Sequence, residues 1–258
     1  IEWSHKINRI YSDQALLSSY DKPYRWWIRY STDKLEARLG LQKITFGPAQ
    51  ILRPTSWFDT IDPRDPTGQT DGVEALRVKY FHNNVLSLWA WAINNNSEKY
   101  SYGLRTELSG DSGDWGLTLH QDKNEIINQI GLLPILMSSA HSRIAIDYRY
   151  DGLIGFWFEG ASLFSNNDLY NLATIGADYT LPIYNGVLIM AETMKINGGP
   201  KNSIIFGPII NITSPFDTFK ETLFNAVISP NFLWSPLSLS LIHISEPTRR
   251  TPSSYAVF

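Results

Sequence analysis

RIAIDYRYDGLIGFWFEG, residues 143–160, decides how the whole chain is read. Successive side chains of a strand point to opposite faces, so Ile144, Ile146, Tyr148 and Tyr150 share one face and Arg143, Asp147 and Arg149 the other. In a soluble antiparallel sheet the apolar face is the core and the charged face meets water. In a transmembrane barrel the apolar face meets lipid and the charged face lines an aqueous interior. The function turns on which arrangement the chain adopts.

The same rhythm extends in both directions, broken by Asn, Asp, Gly and Ser. It predicts strands near 3–11, 24–31, 35–46, 73–81, 85–93, 99–109, 115–122, 142–149, 153–162, 172–181, 187–196, 203–212 and 222–229. Only DKNEIINQIGLLPILMSS, 122–139, is expected to hold a short helix, within a loop. No linker or composition shift divides 1–237, so one domain is expected there.

Both ends of the chain read as truncated. It opens at Ile1 inside a strand-like stretch, and 238–258 (SLSLIHISEPTRRTPSSYAVF) abandons the alternation and resembles translated sequencing adapter. Without that tail's two Arg and one Glu the net charge moves from −3 to −4. Overall acidity argues against a nucleic-acid partner.

Composition narrows the class. At 43% hydrophobic and 18% charged, the chain is neither disordered nor a helical membrane protein. Its longest apolar run, around 130–137, contains a Pro and falls far short of the roughly 18 residues of a spanning helix. A spanning strand needs only about 9–11 residues. The absence of Cys removes disulfides and thiolate metal sites. Nine Trp and thirteen Tyr suit interfacial aromatic girdles, and suit carbohydrate-binding sandwiches as well.

Turn chemistry sets an expected register. A three-residue loop Tyr150-Asp151-Gly152 puts Ile146 opposite Phe156 and Ile144 opposite Phe158. The loop His82-Asn83-Asn84 puts Lys79 opposite Ser87 and Arg77 opposite Trp89. A tight turn at Thr32-Asp33 puts Arg29 against Glu36 and Trp27 against Arg38. With Asn185-Gly186 as a two-residue turn, Glu192 lands among the apolar positions and fits nothing.

Alternation over eight to eleven residues exceeds the usual sandwich strand of about 5–6. Tight hairpins on one side and longer segments on the other (47–72, 123–141, 163–171) complete the pattern of an antiparallel up-and-down transmembrane β-barrel. RLGLQKITFG (38–47), the loop after it and the strand ending at Phe81 resemble the porin-like barrels of Gram-negative outer membranes. The matching residues are Arg38, Gly40, Gln42, Phe46, Gly47, Pro54, Phe58, Asp62, Pro63, Gly72, Ala75, Leu76 and Arg77. That family usually has Arg or Lys before the Gly-x-Gln and Trp where Phe46 stands. The resemblance implies an outer-membrane location, lipid around the barrel, and passive or weakly selective transport of small polar solutes, without naming the solute or an oligomeric state.

The strand phase assigns a polar, pore-lining face. It carries Arg25, Arg29, Arg38, Arg77, Lys79, Arg105, Arg143 and Arg149 with Glu36, Glu107, Asp147, Glu159 and Asp178, interleaved with Trp27, Trp89, Trp91 and Trp157. These charges read either as neutral ladders stiffening a wall or as a weakly cationic pore, in which Trp rings stack on sugars and Arg grips acidic groups. The segment 47–72 is expected to fold inward as a constriction, anchored by Trp57 and Phe58 and carrying Asp59, Asp62 and Asp65.

Catalytic and metal motifs are weak. Gly110-Asp111-Ser112-Gly113 has a protease-like look, but Asp114-Trp115 follows it and His141 lies downstream, so a hairpin turn is expected. The histidines show no ligand spacing, and the Asp-rich loop lacks the spacing of a calcium hand. No metal or cofactor, and no enzymatic activity, is expected. The alternative is a soluble β-sandwich that binds or processes carbohydrate, with Glu159 and Asp147 as its carboxylates.

Overall fold

The structure, a computed structural model, describes residues 1–12, 15–58, 70–95, 99–123, 128–130, 133–135, 140–165, 169–182, 187–198, 204–214 and 221–227. Its strands are β1 (Glu2–Ser12), β2 (Ala15–Ser31), β3 (Leu35–Gln42), β4 (Val73–Phe81), β5 (Leu86–Asn95), β6 (Lys99–Gly110), β7 (Gly113–Asp122), β8 (Asn128–Ile130), β9 (Leu133–Ile135), β10 (His141–Tyr150), β11 (Gly155–Phe164), β12 (Leu169–Leu181), β13 (Val187–Gly198), β14 (Ile204–Ser214) and β15 (Glu221–Val227). Thirteen of them form one antiparallel up-and-down sheet in chain order, and β8 pairs with β9 alone. The sheet is open: among the described residues β1 and β15 are its edges. The helix expected in 122–139 is replaced, among the described residues, by the short β8–β9 hairpin, whose Pro134 suits an edge position.

The alternation read in the sequence is present, with the burial reversed from that of a soluble sheet. Along β10, His141, Arg143, Ala145 and Asp147 are buried while Ile144 and Ile146 are exposed. Ile28, Leu39, Leu76, Leu104, Leu117 and Ile175 likewise stand outward. Ile28, at 59% exposure, is opposite in phase to buried Arg25, three residues before it.

What buries the charged face is the chain after β3. That strand ends at Gln42, not at 46, because Gln42 turns its amide onto the carbonyls of Ala75 (2.8 Å) and Arg38 (3.2 Å). The chain then leaves the sheet and runs across its charged face. Phe46 packs on Trp91 of β5, with ring centroids 4.9 Å apart, and the amide of Gln50 reaches Glu192 of β13 at 2.6 Å. Six inter-strand steps of about 4.8 Å separate β5 from β13, roughly 29 Å on a flat sheet. Four residues of chain span at most about 14 Å. The sheet therefore curls around this segment.

Two apolar clusters form beneath it. Ile44 and Phe46 pack with Ala75, Trp91 and Ile93. Ala49, Ile51, Leu52 and Trp57 pack with residues that include Trp157, Leu163, Leu172, Met194 and Ile209. Beneath the segment the inner face combines these apolar clusters with the buried carboxylates of Glu159 and Glu192.

The hairpin registers differ from those the turns predicted. At 151–154 the pairing places Tyr148 opposite Phe158 and Ile146 opposite Gly160, a slip of four residues. At 82–85 Lys79 faces Trp89 and Arg77 faces Trp91, a slip of two. Here the Asn83 side chain accepts the amides of Val85 (2.9 Å) and Leu86 (2.7 Å), which lengthens the turn. At 32–34 Arg29 faces Arg38 and Trp27 faces Gly40, again a slip of two. There Thr32 caps the turn, its hydroxyl accepting the Leu35 amide at 3.1 Å. Even slips keep every side chain on its face. The β12–β13 hairpin slips by three, pairing Leu181 with Val187, and so moves Glu192 to the inner face opposite Gly176. The connection after β11 is also shorter than 163–171, since β11 runs to Phe164 and β12 begins at Leu169.

The register is testable because the chain has no Cys. Tyr148→Cys with Phe158→Cys should form a disulfide on mild oxidation, detectable by peptide mass mapping, because directly opposed positions bring Cβ atoms within about 5.5 Å. Ile144→Cys with Phe158→Cys should not, since four residues of strand put them about 13 Å apart.

Candidate functional site

Two carboxylates hold the inward segment in place. Glu192, 1% exposed, accepts the backbone amides of Gln50 (2.6 Å), Ile51 (2.8 Å) and Leu52 (2.8 Å) and the indole N–H of Trp157 (2.9 Å). Glu159, fully buried, accepts the amides of Thr55 (2.6 Å) and Ala49 (3.1 Å) and the Thr55 hydroxyl (2.6 Å). A loop buried away from water must have its amides paired, and these carboxylates pair five of them. Arg53 completes the fold of the segment by donating to the carbonyls of Ala49 (3.0 Å) and Phe46 (3.2 Å). Gly47 sits at φ +78°, and a Cβ there would fall 2.2 Å from Glu159 Oε2, so only glycine fits.

A ladder of charges crosses the inner face beside this segment. Glu36 meets Arg38 (2.9 Å), Arg77 (3.0 Å) and Arg29 (3.7 Å). Glu107 accepts from Lys79 (3.0 Å), Ser87 (3.0 Å), Trp89 (2.9 Å) and Arg105 (2.9 Å). Arg105 then grips Asp147 with two nitrogens, at 2.6 and 2.9 Å. Arg149 bridges Asp151 (2.6 Å) and Asp178 (3.5 Å) across the short-turn rim. Arg25 donates to the carbonyl of Thr70.

A second group lies deeper. Arg143 is paired with Asp122 and donates to His141 Nε2 at 2.9 Å. Trp91 donates to His120 Nδ1 at 3.3 Å, and the His120 ring is surrounded by Trp57, Phe58 and Trp91. His120, His141, Asp122, Arg53, Thr55 and Glu192 belong to the site and were not singled out as site residues from sequence. All but Arg53 and Thr55 lie at inward-phase positions, which was the available signal; for Glu192 the assumed turn hid it.

All seventeen residues assigned to the polar face lie on this inner side of the sheet, with Arg29 the most exposed. Trp57 and Phe58 are packed inside, whereas Asp59, Asp62 and Asp65 lie outside the described residues. The Trp rings are not open platforms. Arg38 lies over Trp27 (4.6 Å), Arg77 and Lys79 over Trp89 (4.9 and 4.2 Å) and Arg149 over Trp157 (5.2 Å), while Trp91 packs on Phe46. Gly103 and Gly176 give Trp91 and Trp157 room to lie flat across the neighbouring strand, since a Cβ on either would come within 2.3 Å of the indole.

Glu159 and Asp147, the carboxylates of a hydrolytic reading, are both engaged, one by amides and one by Arg105. Among the described residues no three His, Cys, Asp or Glu side chains converge on a metal position. The protease-like tetrapeptide is the β6–β7 turn, with Gly110 paired to Gly113. Comparison with protein-family models, curated proteins and solved structures returns no match.

Glu192→Ala should destabilise the folded chain by about 3–5 kcal/mol, because it strands three buried donors and a half-buried one. Urea unfolding measures the loss, and limited proteolysis should show new cleavage within 46–57. An unchanged midpoint would remove Glu192 from its anchoring role.

Proposed function

We propose that the chain forms the wall of an outer-membrane β-barrel channel, porin-like, for passive or weakly selective movement of small polar solutes. The observation that carries this reading is the reversal of polarity. A single sheet encloses Arg105, Arg143, Asp147 and Glu159 and leaves its aliphatic face open, with Ile146 at 42% exposure. In water such a face would be an aggregation hazard, whereas lipid is the solvent it matches. A soluble sandwich needs a second layer over that face, and the sheet is one continuous meander.

The aromatic positions support the same reading. Tyr30, Tyr80, Trp115, Tyr150 and Phe156 stand outward at the short-turn ends of their strands, and Tyr100 and Tyr102 at the opposite end of β6. Leu76, Leu104, Leu117, Ile144 and Ile146 fill the band between. Amphipathic rings at two levels flanking an aliphatic belt suit the two interfaces of a bilayer. Thirteen strands leave both edges running in the same direction, so an all-antiparallel barrel closes with an odd number of further strands between β15 and β1. The segment 43–58 then lies within the lumen and narrows it.

Expression with an export signal in a Gram-negative host should place the chain in the outer-membrane fraction; recovery in the soluble periplasm would sink the barrel. Ile146→Arg should cost roughly 2–4 kcal/mol in lipid-refolding titrations if the position lies mid-bilayer.

A further inference from the structure

The geometry points to an oxyanion-binding subsite built by Arg29, Arg38 and Arg77 near the short-turn rim. This rests on the channel reading only for its physiological role, since the site lies on the inner face of the sheet whether or not the wall conducts.

The argument begins with register. Arg29 of β2 is directly opposite Arg38 of β3, and Arg38 is directly opposite Arg77 of β4. Three like charges in one lateral row oppose folding, because directly opposed side chains on a sheet have Cβ atoms only about 4.5–5.5 Å apart. The register expected from the turn pairs Arg29 with Glu36 and avoids this; the actual one creates it. One carboxylate, Glu36, serves all three guanidinium groups, and its own cross-strand partner is the cation Lys79. By contrast Lys79 and Arg105 meet Glu107 and Asp147, and Arg143 meets Asp122, one carboxylate to each cation. In the row three guanidinium groups share the one carboxylate of Glu36, with a weaker attraction of Arg77 to Glu107.

The geometry of the row favours an oxyanion over a neutral sugar. Arg38 lies on the Trp27 ring and Arg77 on the Trp89 ring, with Lys79 on Trp89 as well. Stacked rings are occupied on those faces, so they offer poor platforms for a sugar. A guanidinium laid on an indole keeps its N–H groups in its plane, where their fork matches two oxygens of a carboxylate or a phosphate. Three such groups carry fifteen N–H donors, and Glu36 has two oxygens to share among them. Arg29, with its side chain 49% exposed, leaves the row accessible to solute. The ligand is therefore a small oxyanion, either inorganic phosphate or the carboxylate of a sugar acid.

The test uses the full chain folded in detergent micelles and titrated by calorimetry at matched ionic strength, so that binding is read independently of conduction. Probes are sodium phosphate, sodium glucuronate and glucose. Binding of phosphate or glucuronate, and not of glucose, is expected; which of the two binds more tightly distinguishes the sources of the oxyanion. Arg38→Gln should weaken that binding at least tenfold, and Arg38→Lys, which keeps charge without the fork, should recover only part of it. Arg29→Gln, at the exposed end of the row, gives the same readout should Arg38→Gln fail to fold, and should also weaken binding severalfold. Glu36→Gln removes the internal competitor and should tighten binding severalfold. Equal binding of glucose, absence of oxyanion binding by the folded chain, or isotherms unchanged in both arginine variants would overturn the subsite. None of these outcomes bears on membrane insertion, which fractionation tests separately.

Discussion

The fold depends on a carboxylate buried against backbone amides. Glu192 and, two strands away, Glu159 receive N–H groups from residues 49–55, so a segment with no sheet partners satisfies its backbone inside the curled wall. An isolated carboxylate in such a place would cost many kcal/mol; one surrounded by donors is tolerated, and its donors in turn cannot do without it. The segment they hold brings Phe46, Leu52 and Trp57 onto the inner face and draws β5 and β13 toward a common centre. The curvature and the inner apolar clusters follow from that attachment.

The stretch from Arg38 to Arg77 acquires physical reasons in this setting. Gly40 sits at φ +125° with the Trp26 carbonyl 2.3 Å from where a Cβ would stand, so the strand can approach its neighbour only without a side chain. Gln42 ties β3 to β4 and ends the pairing, Phe46 seats on Trp91, and Gly47 clears the Glu159 carboxylate. Arg38 and Arg77, the first and last members, sit side by side in the arginine row. The motif specifies how a strand leaves the wall and enters the interior.

The charge distribution has two different logics. Arg105 with Asp147 and Glu107, or Arg143 with Asp122, are local pairs that make a buried polar wall tolerable. The row Arg29–Arg38–Arg77 is not balanced in that way, and like charges in direct opposition persist in a structure at a cost to stability.

The strands of the large sheet and the residues that share each of its faces were legible in the sequence, because side chains alternate with a period of two and turn residues punctuate each run, whereas β8 and β9 were not. Thr32-Asp33, His82-Asn83-Asn84 and Asp151-Gly152 located turns correctly but not their lengths, since side-chain caps such as Asn83 enlarge a loop that composition alone makes look tight. Even slips left the faces intact and exchanged the partners, turning an expected Arg29–Glu36 pair into an Arg29–Arg38 opposition. The odd slip at β12–β13 moved Glu192 inside, which no local pattern around Asn185-Gly186 could reveal. Local alternation by itself determined which residues share a face. Only the tertiary structure decided which of them meet, because register and curvature are set by contacts between residues such as Gln50 and Glu192, 142 positions apart in the chain.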